Sequence, residues 1–490
     1  MYDPAGNRIQ DTDARGVVSH RTYDALNRII ATTYPDTTAN VSYRYDETDS
    51  VTGCVGSYPI GRLTSIVETA VTTVYCYDSR GNVVQKRQTQ GVNVDTVGYT
   101  YTPGDRLASV QTPDGTSIQY GRDTAGRINA VTVLPPSASS AINAVTNISY
   151  LPLGGIASYT LGNGQTVTRT YDANYALTDV VSTALNLHFA RDAMNNITAL
   201  GNASGASPAV ETYSYDPLYR LTAVKNAQGQ SIESYTYSKT GDRLSKTANG
   251  LATGAYGYQT GTHWLTSIGS TARAFDAAGN TTGSAAGGDT FGYGYNDRDR
   301  LIVLQRDGQT VANYTYNALG QRIAKNASFP QATNLRFAYD EASKLSGEYG
   351  TTNRSYVWLE GLLVAVVDTS AGSATINYVH ADALGAPRTI TSYTGVVVWN
   401  WSYINDPFGE QQASVGYTFN LRYPGQYYDA ESGLNYNVIR YYEPAVGRYT
   451  QPDPLGLTAG PSVYAYVGSP PSIAWILKAF NRKASAIYFS

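Results

Sequence analysis

Apolar and aromatic residues alternate with polar ones at a period of two along most of this chain, in short runs broken by glycine, asparagine and aspartate. Aromatic pairs at i and i+2 stand before many of the breaks: Tyr43/Tyr45, Tyr75/Tyr77, Tyr99/Tyr101, Tyr213/Tyr215, Tyr235/Tyr237, Tyr293/Tyr295 and Tyr314/Tyr316. In a strand both rings of such a pair point to one face, whereas a helix would splay them apart. An Asp or Asn after the second Tyr can accept a bond from the backbone two residues on, and a following Gly supplies the positive φ that a tight reversal needs. Next comes Arg-Leu or Arg-Ile and a β-branched run, as in Arg62-Leu63-Thr64-Ser65-Ile66-Val67 and Arg220-Leu221-Thr222-Ala223-Val224, which reads as a return strand. Each unit is a β-hairpin.

The unit recurs through most of the chain. Tyr2-Asp3 is followed by Tyr23-Asp24, Tyr45-Asp46, Tyr77-Asp78 with Gly81, Tyr101, Tyr120 with Gly126-Arg127-Ile128, Tyr171-Asp172, and Tyr215-Asp216 with Arg220. Tyr237, Phe275-Asp276, Tyr295-Asn296, Tyr316-Asn317 and Tyr339-Asp340 continue it, and most anchors lie 18 to 26 residues apart. The longer step from Tyr120 to Tyr171 leaves room for a degenerate copy. One such hairpin is marginal alone in water, so the units are expected to pair with their neighbours into one sheet. Over many strands a twisted sheet must curl. Periodicity alone does not choose between a barrel, a spiral and a hollow shell.

Composition sharpens this picture. The 490 residues include 43 Tyr against 9 Phe, 47 Gly and only 15% charged residues, where an average domain carries roughly 25%. Such a chain favours strands and turns. Because a tyrosine hydroxyl wants water or a partner, the rings suggest a sheet lining a large hydrated interior. The net charge of -3 without a Lys/Arg run gives no reason to expect nucleic acid or anionic lipid as a partner. No stretch approaches the ~20 apolar residues that span a bilayer, and no apolar signal segment opens the chain, which suggests a fragment. Cys54 and Cys76 are read either as one disulfide in an oxidising compartment or as two unpaired thiols.

Little points to small-molecule chemistry. His20, His188, His263 and His380 are scattered without metal-ligand spacing, and the Asp of each turn is a whole repeat away from the next, so neither a metal nor another cofactor is expected. No G-x-S-x-G, P-loop or strand-associated G-x-G-x-x-G stands in a suitable context. His380 is read as making a structural hydrogen bond to a neighbouring turn.

The alternating Tyr-Asp turn and Gly-Arg-Leu return resemble the YD repeats of bacterial Rhs proteins, of the C component of Tc toxin complexes and of animal teneurins. The segment Tyr378-Val379-His380-Ala381-Asp382-Ala383-Leu384-Gly385-Ala386-Pro387-Arg388 is similar to a family motif, and Trp399 and Asp406-Pro407-Phe408-Gly409-Glu410 follow it. Then Pro424-Gly425, Tyr428-Asp429, Glu431, Gly433, Tyr436, Arg440-Tyr441-Tyr442, Gly447-Arg448 and Asp453-Pro454-Leu455-Gly456 look like the Rhs-associated core signature. The resemblance implies an all-β fold of tandem hairpins, a spiralling sheet that curls into a hollow β-shell. It implies a repeat shell over residues 1–375, the core over 376–468 and a divergent tail over 469–490 without a toxin domain.

Family members commonly release the toxin by aspartyl autoproteolysis, using one Asp in each of two D-P-x-G motifs. Asp453 matches the first. Where the second Asp is expected the chain has Ile476, and a lone carboxylate should not support a mechanism that needs two sharing a proton, so no self-cleavage is expected. The tail, with Ile473, Trp475, Ile476, Leu477 and Phe480, suggests a short helix ending near Lys483. The resemblance makes the chain part of an encapsulation shell used in intercellular competition, secreted or at the cell surface, with a C-terminal effector as its cargo and secretion-system proteins as further partners. The alternative is an adhesion module whose Tyr-rich face binds cell-surface glycans.

Overall fold

The computed structural model describes residues 1–466 apart from Ser137, Asn249, Gly250 and Val415. The expectations for Ile476 and for a helix ending near Lys483 lie outside the described residues. Among those residues the chain is a meander in which each strand pairs antiparallel with its neighbours in sequence. A first sheet of 24 strands runs from Gln10–Thr12 to Thr271–Ala272, and a second of 13 runs from Ala274–Phe275 to Val397–Asn400. A small sheet of four strands, Tyr427–Asp429, Leu434–Asn437, Arg440–Glu443 and Arg448–Tyr449, ends it. The long sheets do not close into barrels; they curl into a hollow β-shell.

The repeat unit explains why the sheet propagates. At the anchor the ladder slips by one residue, between Thr22 and Tyr23, Cys76 and Tyr77, and Ser214 and Tyr215, making a bulge. There the tyrosine hydroxyl donates to a backbone carbonyl of the preceding return strand: Tyr23 to Arg8 at 2.9 Å, Tyr77 to Leu63 at 2.6 Å, Tyr215 to Ile197 at 2.7 Å and Tyr237 to Leu221 at 2.8 Å. Thus these hydroxyls, expected to face water, bind the sheet instead. The Asp that follows tightens the turn. Asp24 Oδ1 accepts from the amides of Leu26 and Arg28, and its Oδ2 from Arg28 Nε; Asp78 and Asp216 repeat the pattern with Arg80, Asn82, Leu218 and Arg220. The reversal takes its positive φ from Gly81 (95°) in one copy and from Asn27 (59°) in another.

The residue four places after the Asp also reaches forward. Arg28 pairs with Asp46 at 2.9 Å, Asn82 Nδ2 donates to Asp105 at 2.8 Å, and Arg220 donates to the Ser238 carbonyl. Each hairpin is therefore bonded backward by its anchor ring and forward by its turn.

Several anchors are not named by the sequence reading. The unit assigned to Tyr120 is anchored by Arg122, whose Nη2 donates to the Leu107 carbonyl at 2.9 Å, ahead of an Asp123 turn. The degenerate copy between Tyr120 and Tyr171 is Tyr150-Leu151, with Tyr150 bonded to Ile128 and the turn closed by Gly154. A unit absent from the sequence reading, Arg191-Asp192, uses Arg191 Nε on the Leu177 carbonyl at 2.9 Å. Trp358 Nε1 plays the same part toward Leu345. The position usually holds a side-chain donor of sufficient reach, most often tyrosine, although Phe275 and Ala381 occupy it without one.

Contacts between distant segments recur along the chain. Glu68 pairs with Arg298, Asp95 with Arg336, Asp114 with Ser355 and Thr369, Asn163 with Thr391, Ser182 with His380, and Lys246 with Glu410. The second sheet thus lies along the first as the next coil of a spiral. Sequence separation across this seam falls from 241 at Asp95/Arg336 to 164 at Lys246/Glu410, so the coil narrows toward the C-terminal end. Apolar packing crosses the same seam, where Val131, Val145, Val167 and Phe189 of the first coil meet Val357, Val364 and Val367 of the second. The cysteines form one disulfide, Cys54 to Cys76, which pins the insertion after Asp46 to the strand Thr72–Tyr77.

Two measurements test these devices. Tyr237→Phe keeps the ring but deletes the donor, and is expected to cost about 1 kcal/mol in denaturant unfolding, whereas Asp216→Ala, which frees two turn amides and a guanidinium, costs more. Reduction of the disulfide closing a sequence separation of 22 should remove about 3 kcal/mol, read as a lower thermal midpoint in reductant.

Candidate functional site

The core sheet is joined to the second coil by buried charge. Its first strand ends at Asp429, where a turn closes on the Asp429 carbonyl through the amides of Ser432 and of Gly433, whose φ is 71°. The Asp429 carboxylate, with no solvent exposure, takes both Arg322 terminal nitrogens and Lys325 Nζ at 3.0 Å. Glu431 takes Lys325 at 3.2 Å and the Tyr314 hydroxyl at 2.9 Å. The Tyr436 oxygen accepts from the Arg322 amide and donates to the Gly320 carbonyl, while Tyr441 meets Tyr316 at 2.6 Å. Arg322 lies 4.4 Å from the Tyr436 ring centre. Burial, with Asp429 beside it, raises the Glu431 carboxyl above its ordinary range.

The other core positions carry structural contacts of the same kind. Arg422 stacks 4.7 Å from Tyr428, the Tyr442 hydroxyl donates to Phe408, and Arg448 donates to the His263 carbonyl while lying over Tyr464. Pro424 and Gly425, with φ of 78°, form the turn before the first core strand. Gly447 has φ of 72°, and a Cβ there would meet Arg243.

The motif from His380 to Arg388 is one more repeat turn. Asp382 accepts from the amides of Leu384 and Ala386 and from Arg388 Nε at 2.7 Å, with Gly385 at φ 84° and Pro387 opening the return strand. Ala381 stands where the anchor ring would be. Arg388 lies 4.1 Å over Trp401. His380 contacts Ser182 at 2.9 Å, in a turn of the first coil, and Thr391 at 3.1 Å. Burial pushes its imidazole down to about 4, so it is neutral at ordinary pH.

Asp453 is tied to Arg440 at 2.6 Å and caps its own turn by accepting from Leu455 N, while the amide of Gly456, after Pro454, returns to the Asp453 carbonyl. Those partners hold the carboxylate in place. Among the described residues no group of three His, Cys, Asp or Glu side chains is placed to hold a metal, and no helix is long and apolar enough to cross a membrane.

Sequence reasoning left one group without a role. Asp406 is 3% exposed, its Oδ1 accepts from Gln411 N at 3.0 Å, and its Oδ2 has no hydrogen-bond partner among the described residues. Burial pushes this carboxyl up to about 7. It lines a cleft of about 100 Å³ between the first coil and the core. The available signal was the Asp-Pro-x-Gly spelling shared by residues 406–409 and 453–456.

Two predictions follow from the charges. Asp429→Ala leaves Arg322 buried without its carboxylate and Lys325 with Glu431 alone, and should cost about 3–5 kcal/mol in unfolding. A carboxyl raised from 3.8 to about 7 favours the fold when protonated, and that contribution is lost as pH rises through this window. Relative to Asp406→Asn, the native chain should lose thermal stability from acid to neutral pH and run parallel to the variant above it.

The comparisons agree with this geometry. The chain is 29% identical over 315 residues to the double-stranded DNA deaminase toxin A of Burkholderia cenocepacia (strain H111), covering 56% of this chain and 21% of that protein. It is 30% identical over 243 residues to toxin protein Tse5 of Pseudomonas aeruginosa, covering 41% and 18%. The chain therefore spans about a fifth of the length of these relatives. In the crystal structure of TcdB2-TccC3-Cdc42 the fold superposes with a TM-score of 0.78 at 17% identity, over 99% of this chain and 28% of that one. The Photorhabdus luminescens Tc holotoxin pore gives 0.75 at 17% identity, over 96% and 26%. At such identity these two establish the fold alone. An RHS repeat family matches residues 2–39, and the teneurin YD-shell family matches residues 163–459, more than half of the sequence: the chain belongs to the teneurin YD-shell family.

Proposed function

We propose that this chain is the later wall of an encapsulating shell of an Rhs-type polymorphic toxin, used between competing cells to hold a C-terminal effector apart from its surroundings. The observation that carries the reading is the narrowing spiral of hairpins, ended by a core sheet stapled to it through Arg322, Lys325 and Asp429. Such a wall encloses volume, whereas a binding module needs only a surface. Residues 1–375 are the repeat wall, 376–468 the core that terminates it and 469–490 the tail, with the strand Ser373–Ala381 carrying the chain across the first boundary. The partner is the effector cargo, delivered with secretion-system proteins outside the producing cell.

The wall acts by structure, without bond-breaking chemistry of its own. Asp453, the position of family autoproteolysis, is engaged by Arg440 and Leu455, which supports an inactive role. In solution X-ray scattering the distance distribution should be shifted to longer distances than that of a solid particle of 52.7 kDa. A solid profile would sink the shell reading. Intact mass after long incubation should stay that of the whole chain; a fragment ending in the core would overturn the inactive role.

A further inference from the structure

The cleft beside Asp406 has unmatched chemistry. Its walls are rings from both sides of the seam: Tyr213 from the first coil, and Tyr403, Phe408, Tyr423 and Tyr442 from the core side. Two buried polar atoms of its lining residues lack hydrogen-bond partners among the described residues, Asp406 Oδ2, an acceptor, and Arg191 Nη2, a donor. Their sister atoms are engaged. Asp406 Oδ1 holds Gln411 N, and Arg191 Nε and Nη1 hold the carbonyls of Leu177 and Asn195. Arg388, the other cation of the cleft, is committed to Asp382 and to the Ser402 carbonyl and is packed between Trp401 and Tyr403.

A buried acceptor without a partner is costly, and one facing aromatic rings is matched by a cation on a slender apolar stem. An arginine nitrogen nearby is matched by a carbonyl. Both features belong to one ligand class, a peptide bearing a lysine: the ammonium suits Asp406, the methylenes suit the rings, and a main-chain carbonyl suits Arg191. We propose that this cleft binds a lysine side chain of an extended peptide, anchoring the enclosed polypeptide where the core meets the first coil. The occupant rests on the shell reading above. Tyr466 also lines the cleft, so a polypeptide continuing from it would meet the site at high effective concentration.

The test is calorimetric titration of the full chain with N-acetyl-lysine methylamide, against N-acetyl-norleucine methylamide as its uncharged counterpart. The lysine amide should bind saturably, with affinity falling about tenfold in Asp406→Asn while Asp453→Asn leaves it unchanged. Binding to the native chain should weaken as pH drops from about 8 to about 6 and Asp406 takes up its proton, a readout that stands even if the variant does not fold. Equal affinity for the norleucine amide, full affinity in a folded Asp406→Asn, absence of the pH response, or no binding of either amide would each overturn the site. Scattering separates the two readings: a hollow particle that binds no lysine sinks only the anchor, whereas a solid particle that binds it sinks only the shell.

Discussion

A side-chain donor at the bulge, reaching back to the carbonyl of the previous return strand, is the interaction on which the rest of this structure depends. A β-hairpin meander has little to fix the angle between one unit and the next beyond its ladder, and a ladder alone tolerates slippage. Here a bulge interrupts the ladder at the anchors, and at most of them the anchor's own hydroxyl, guanidinium or indole N–H bridges the interruption, as Tyr77, Arg191 and Trp358 do. The bond sets register and local twist together. Repeated from Tyr23 to Tyr339, it turns a flexible ribbon into a wall of regular curvature.

Curvature brings the second coil against the first, and polar pairs recur along the seam between them. Glu68, Asp95, Asp114 and Lys246 are all less than a tenth exposed or bonded within it, each facing a group from the other coil. Ion pairs of this kind add modest net stability, because desolvation offsets much of the attraction. Their stronger effect is on alignment, since sliding one coil by a residue would leave buried charges unpaired. The apolar contribution comes from valines and Phe189 packed behind them.

The core sheet ends the spiral by the same logic at higher charge density. Arg322 and Lys325 extend from the strand Arg322–Ala327 into the turn between the first two core strands. Asp406 departs from the pattern. It lies on a segment whose other members are satisfied, with Glu410 on Lys246 and Phe408 against Tyr235, yet one of its oxygens is not. That oxygen, one of several buried polar atoms without a hydrogen-bond partner among the described residues, lies on a residue that lines a cleft, where something outside the fold has room to act.

The sequence by itself determined the unit: period-two alternation, Asp at the turn, Gly or Asn beyond it and a β-branched return are local signals, each enforced within about five residues of backbone. It also determined the core motifs, because their turns reuse the repeat's own chemistry, as Asp382 with Arg388 does. What only the tertiary structure decided depends on distance in the chain. That Arg122 and Arg191 serve as anchors follows from a carbonyl 15 or 14 residues back. Which of two states Cys54 and Cys76 adopt follows from where the loop after Asp46 is laid. That Asp429 meets Arg322, and that Asp406 Oδ2 has no hydrogen-bond partner among the described residues, follows from how tightly the spiral closes, a sum of small twists that no single repeat encodes.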